Sequence, residues 1–186
     1  IDLAMDLEGK TGAVACADGY VQLIRLGMQS KPVERLALSA EVLGDERATS
    51  VALTLDGKLL AVGTVDGQVI VVAGIDDLAS KPRVICSIKG HKRRVTDMRF
   101  DNDGMLWTAS DDQTVRSWKQ APDGSLGEVV VGWHFLPVRQ IDICNQSGKV
   151  LLAAVVGDGR SGKIVVWEKI QGNDGAVLKL RGRMLD

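Results

Sequence analysis

The sequence predicts an all-β chain in which one antiparallel unit of four strands is repeated four times. Three observations carry this. Short runs rich in Val, Ile, Leu and Thr, bounded by Gly, Asp, Asn and Ser, recur along the chain, and no stretch keeps the helical period of about 3.6 residues. Four segments end one strand with a turn and begin another: ACADGYVQLI, VGTVDGQVIVV, ASDDQTVRSW and GRSGKIVVW. Aligned without gaps on their second strands, they place Ile24, Val72, Trp118 and Trp167 in register, 48, 46 and 49 residues apart. A near-constant spacing of this size marks a repeat architecture, in which each unit buries its faces against its neighbours.

Each unit can be justified strand by strand. An upstream turn recurs with the first one: Gly9, Gly57, Gly104 and Gly148 follow Glu8, Asp56, Asp103 and Ser147, each between apolar runs, which is hairpin chemistry. A unit therefore reads strand, tight turn, strand, tight turn, strand. A fourth strand follows in at least three units, as RVICSI, EVVVGW and AVLKL, where β-branched residues dominate. The links before these strands, Ile75 to Pro82, Gln120 to Gly127 and Ile170 to Gly175, hold much of the Pro, Gly, Asp and Asn that loops use. The approximate units are 1–43, 44–90, 91–133 and 134–186, with no long helix and no domain boundary between them.

Composition narrows the functional classes. A hydrophobic content of 45% suffices for a folded core, and no apolar run approaches the roughly 20 residues of a bilayer-spanning helix. The first residues, IDLAMDLEGK, do not read as a secretory leader. With 23 basic and 24 acidic residues the net charge is −1, so no global field recruits nucleic acid or an anionic membrane. Cys16, Cys86 and Cys144 are far apart and odd in number, which excludes a full disulfide framework and fits reduced thiols in the cytoplasm.

The third unit, GHKRRVTDMRFDNDGMLWTASDDQTVRSWK, resembles a WD repeat: Gly90-His91 stands ahead of the first strand, Asp112 in the second hairpin and Trp118 six residues on. The resemblance implies a hydrogen-bonded tetrad of His91, Thr108, Asp112 and Trp118 that pins the connecting loop to the hairpin. Such a network suits a buried site only when every polar group has a partner. The other units keep less of it. The fourth has His134 and Trp167 but Ser161 in the aspartate position; the second has Asp66 with Gly44 and Val72; the first has Asp18 with Ile24. The spacing is near the roughly 40 to 45 residues of the family's repeats. The fold implied is a β-propeller of four-stranded antiparallel blades, about four of them, either part of a longer ring or assembled into one. Family rings commonly close with about seven blades. Counted on the third unit, residue 1 falls inside a first strand, which suggests a fragment of a larger propeller. The uncovered faces at the two ends would then be covered by missing blades, another chain or a second copy.

Sharper chemistry has plainer alternatives. GDGRSGKI, Gly157 to Ile164, matches both a GxGxxG string and a phosphate-loop core, but Ile164 opens the strand IVVW where a hydroxyl and a helix are needed. His91, Asp112 and Thr108 contain the ingredients of a catalytic relay, which the structural tetrad explains better. Two histidines and dispersed cysteines give no zinc spacing. Asp76-Asp77, Asp101 with Asp103, and Asp111-Asp112 could suggest calcium or a glycosidase pair, but they fall in turns and read as solvated residues serving backbone amides. No catalytic residue, metal or cofactor is expected.

Lys89, Lys92, Arg93 and Arg94 form a basic run in the loop between the second and third units, and Phe135, Leu136 and Pro137 add apolar surface one unit on. The resemblance implies that Arg47, Arg93, Arg94, Asp111, Phe135 and Arg139 gather on the face the family uses most for partners. Arginines and an aromatic beside a polar rim are typical interface anchors. The expected function is a non-enzymatic scaffold or sensor that binds a protein or peptide. The alternatives are a regulatory segment of a larger multidomain enzyme and a basic-loop nucleic-acid binder. Against the last stands an aromatic content of 4%.

Overall fold

In the computed structural model the described residues are 1–25, 34–38, 46–75, 81–121, 125–146, 149–158, 162–172 and 175–184. They form sixteen strands and no helix. The first sheet holds β1 (Asp2–Met5), β2 (Thr11–Ala15), β3 (Val21–Arg25) and β4 (Glu34–Leu38), and the second holds β5 (Ala48–Leu53), β6 (Leu59–Thr64), β7 (Gln68–Ala73) and β8 (Arg83–Lys89). The third holds β9 (Val95–Phe100), β10 (Leu106–Ser110), β11 (Thr114–Gln120) and β12 (Leu126–Trp133). The fourth holds β13 (Val138–Gln146), β14 (Lys149–Gly157), β15 (Gly162–Gly172) and β16 (Gly175–Met184). Within each sheet the strands follow one another in chain order. The first unit thus has a fourth strand too, in Glu34–Leu38.

The turns explain the register. Gly9, Gly57 and Gly104 sit at φ of 66°, 67° and 75°, the left-handed region that a tight turn needs and that glycine enters without steric cost. Gly148 lies outside the described residues. The same turns are capped by side chains upstream of the glycine. Asp6 accepts the amides of Lys10 and Thr11, and the Thr54 hydroxyl accepts the Leu59 amide while donating to Asp56 at 2.7 Å. Asp101 accepts the amides of Asp103 and Met105 and the Trp107 indole N–H, at 3.0, 2.9 and 2.9 Å. Asp101 is therefore buried, not a solvated turn residue as the sequence suggested. The reason is Trp107, whose fully enclosed ring needs an acceptor for its one donor.

The chain divides into two compact units, Ile1–Val95 and Thr96–Asp186. In the first, Ala13, Ala15, Val21 and Leu23 pack in one core with Val51, Leu60, Val62 and Val72. In the second, Trp107, Ala109 and Val115 pack with Leu152, Ala154, Val165 and Trp167. Alternation is clearest along β14, where Val150, Leu152, Ala154 and Val156 are buried and Leu151 and Val155 are exposed, the period of a strand with two distinct faces. Each unit also carries a polar tie between the first strands of its two sheets. Asp2 accepts the Val51 amide at 3.0 Å, and Asp97 accepts the Ile141 amide at 2.9 Å. In the second unit Thr96 adds a bond from its hydroxyl to the Val138 carbonyl at 2.6 Å.

Candidate functional site

The links that enter a new sheet dock on the second turn of the sheet before. That turn places one residue in the left-handed region: Gly19 at φ 92°, Gly67 at 85° and Gln113 at 73°. Its carbonyl then accepts an amide of the incoming link. Ala48 donates to Gly19 at 2.9 Å, His91 to Gly67 at 3.0 Å and His134 to Gln113 at 2.9 Å. Three links are thus held at one geometric point, although the residues supplying it differ.

The link after β8 shows what this does. A Cβ on Gly67 would stand 2.4 Å from the His91 carbonyl oxygen and 2.7 Å from that of Arg93, so the link lies directly on the turn and only glycine fits. His91 is buried at 2% exposure, while Lys92, Arg93 and Arg94 after it are exposed. Arg47, in the link before β5, is also exposed; it lies along Gly19 and donates from Nη2 to the Ala17 carbonyl at 3.3 Å. A pinned backbone here presents exposed cationic side chains.

In the second unit, His134 is half-buried, accepts the Leu136 amide on Nδ1 at 3.0 Å and meets Trp167 edge-on at 6.3 Å. Phe135 beside it is 84% exposed. Arg139 and Asp111 are brought together: Nη1 meets Oδ1 at 2.5 Å while Nε donates to the Gly157 carbonyl at 3.0 Å. This ties β13 back to the hairpin and end of β14. Of the six residues proposed to meet a partner, Arg47, Arg93 and Arg94 belong to the first unit, and Asp111, Phe135 and Arg139 to the second.

The tetrad residues divide likewise, with His91 in the first unit and Thr108, Asp112 and Trp118 in the second. Trp118 donates its indole N–H to the Thr108 hydroxyl at 2.9 Å, and both side chains are buried. Asp112 accepts from the Thr114 amide at 3.0 Å and hydroxyl at 2.6 Å, bracing its own turn. In GDGRSGKI, Gly157 pairs with Gly162 across β14 and β15, residues 159–161 lie outside the described residues, and Ile164 is within a strand. Gly162–Gly172 is a strand, not the helix that follows the glycine string in a phosphate loop. Among the described residues no group of three His, Cys, Asp or Glu is placed to hold a metal ion.

Two features escaped the sequence reading. Trp133, at the end of β12 and two residues before Phe135, is 65% exposed. Asp97 is buried and holds the neighbouring sheet; its signal was its position, seven residues before Gly104 as Asp2 stands seven before Gly9.

Comparisons with known proteins agree with this architecture. Residues 82–119 match the family described as WD domain, G-beta repeat. The fold is similar to a structure of U3-55K, with TM-score 0.69, 18% identity, and 89% of this chain and 47% of that one covered. It is similar to the RRP9 WD40 repeats, with TM-score 0.70, 18% identity, and 94% and 52% covered. It is also similar to the β-propeller domain of Cps50 (Swd1) from Myceliophteria thermophila, with TM-score 0.70, 15% identity, and 95% and 57% covered. No curated protein matches the chain in sequence. Residues 82–119 are thus similar to one WD repeat, and the chain as a whole has the fold of WD40 β-propeller domains. It spans about half the length of the solved structures it matches.

Proposed function

We propose that this chain is a protein-interaction scaffold that takes a protein or peptide partner on its link loops, through Arg47, Arg93 and Arg94 of the first unit and Asp111, Phe135 and Arg139 of the second. One observation carries the reading: the link holding Arg93 and Arg94 is fixed at its backbone by the His91–Gly67 bond, yet its cationic side chains are exposed. A loop already ordered avoids the entropic cost of ordering on binding, so contacts made by its side chains convert more fully into affinity. Guanidinium groups suit carboxylates, which they can grip with two parallel hydrogen bonds. Lys89 and Lys92 beside them favour an acidic partner segment. Phe135, exposed next to the pinned His134, supplies an aromatic anchor of the kind that dominates interface energetics. The free thiols of Cys16, Cys86 and Cys144 support a cytoplasmic location.

The test is a binding screen on arrayed acidic peptides with the wild-type chain and the double variant Arg93→Glu, Arg94→Glu. The expected result is that peptides retained by the wild type are lost by the variant, while the far-ultraviolet spectrum and melting temperature stay unchanged. Unchanged retention would overturn the assignment of this link. Salt-dependent retention of RNA or DNA by the wild type, lost in the same variant, would replace the protein partner with a nucleic acid.

A further inference from the structure

Residues 81–94, KPRVICSIKGHKRR, hold six cationic side chains and no carboxylate, in a chain whose net charge is −1. The fold lays this segment along the border of the second sheet. β8 is the last strand of that sheet and, among the described residues, pairs with β7 alone, so the other side of its backbone has no strand against it. Lys81, Arg83 and Lys89 are exposed at the two ends of β8, and Lys92, Arg93 and Arg94 are exposed on the link that follows, which the His91 amide fixes to Gly67. This border lies inside the chain, since one sheet precedes the second sheet and another follows it.

The corresponding strands of the other sheets are charged differently. β4 sets Glu34 beside Arg35, β12 has Glu128 and no cation, and the cations of β16 include Arg181, which Glu168 engages. Lys and Arg on an open edge keep it from pairing with its own copy, because like charges would stand opposite one another. The same charges select a strand of opposite sign. Nucleic acid fits this border less well: residues 81–94 contain no Phe, Tyr or Trp on which a base could stack, and a sugar-phosphate backbone cannot continue the ladder of a sheet.

We propose that β8 takes an extended acidic segment of a protein partner as an added strand, its carboxylates meeting the cations at the two ends of β8. The backbone ladder supplies affinity and the alternating side chains supply selectivity. The regular stretch for this is residues 86–89, which pair one for one with β7, whereas the register shifts between Cys86 and Val84. The proposal rests on the reading of Arg93 and Arg94 for the acidity of the partner, and adds to it a backbone contact that those side chains do not make.

The probe is a synthetic peptide of alternating Glu and Val, as long as the seven residues of β8, followed by nuclear magnetic resonance on the isotope-labelled whole chain. Two further peptides carry methyl groups on alternate backbone amides, one on each alternate set. The unmethylated peptide should bind and slow amide exchange along β8. One methylated peptide should bind at least about tenfold more weakly and the other should not, because only every second amide of an added strand faces its neighbour. The double variant Arg83→Glu, Lys89→Glu should weaken binding by a similar factor with an unchanged circular dichroism spectrum. No binding, or equal effects of the two methylations, would overturn the added strand. Tighter binding of a single-stranded DNA oligomer, lost in the same variant, would overturn it in favour of nucleic acid. Loss of binding in Arg93→Glu, Arg94→Glu alone would keep the link contact and overturn the strand, while loss in Arg83→Glu, Lys89→Glu alone would keep the strand and overturn the link contact.

Discussion

The first and second compact units each join two four-stranded sheets with the same devices, yet execute them with different residues. In the first, the link at Ala48 rests on Gly19, and Asp2, a half-buried carboxylate, is the side chain that ties the first strands of the two sheets. In the second, the link at His134 rests on Gln113, and the tie consists of Thr96 with a buried Asp97 that also accepts Arg99 at 2.6 Å. The backbone geometry is thus common while its cost and reinforcement vary. The first unit uses an unstrained turn and a light tie; the second uses a strained turn and a heavy one. Ser50, at the corresponding position of the second sheet, is buried with its hydroxyl unpartnered among the described residues, while Thr49 beside it donates to the Val95 carbonyl at 2.6 Å as Thr96 does to that of Val138.

The comparison breaks most visibly at the turns. Gly67→Ala puts a Cβ 2.4 Å from a backbone oxygen at φ 85° and should cost roughly 2–4 kcal/mol by denaturant unfolding. Gln113→Gly removes left-handed strain from a position open enough to hold a glutamine and should gain up to about 1 kcal/mol. Equal effects of the two changes would refute the view that the turns differ in strain.

The ties come next. Asp97→Ala leaves the Ile141 amide and the Arg99 guanidinium without their carboxylate and should cost about 2–3 kcal/mol, against about 1 kcal/mol or less for Asp2→Ala. Asp97→Asn keeps one acceptor oxygen and should fall between them. A larger loss at Asp2 would reverse the order of the two ties.

The smallest effect lies at the upstream turn. Asp56 titrates below its ordinary value because the Thr54 hydroxyl donates to it, followed by smaller contributions from Lys58. A carboxylate whose folded pKa is lowered lends stability above its unfolded value and loses it as pH falls through the folded one. Thr54→Val should return Asp56 toward its ordinary range in a nuclear magnetic resonance titration and slightly flatten the acid limb of stability. No movement of Asp56 would discredit the hydroxyl as the cause.

Much of the fold was legible in the sequence because turns and strand faces are local. The 48-, 46- and 49-residue spacing and the glycines after Glu8, Asp56 and Asp103 placed three strands of every unit without knowledge of packing. What was less legible depended on contacts distant in sequence. Gln113 gives no turn signal of its own, and its left-handed backbone is enforced by the hairpin around it. Asp101 reads as a solvated turn residue until Trp107 closes over it. Arg139 and Asp111, each assigned to a partner face, are 28 residues apart and reveal their mutual pairing only in three dimensions.

The reading of function rests on links that are pinned before any partner arrives, and amide hydrogen exchange at His91 and His134 in the unliganded chain tests it most directly. Both amides donate to the carbonyl of a left-handed turn residue and should exchange with the slow rates of the strands that flank them. Exchange at the rate of an unstructured loop would contradict a preordered face and with it the case for Arg93, Arg94 and Phe135 as partner contacts.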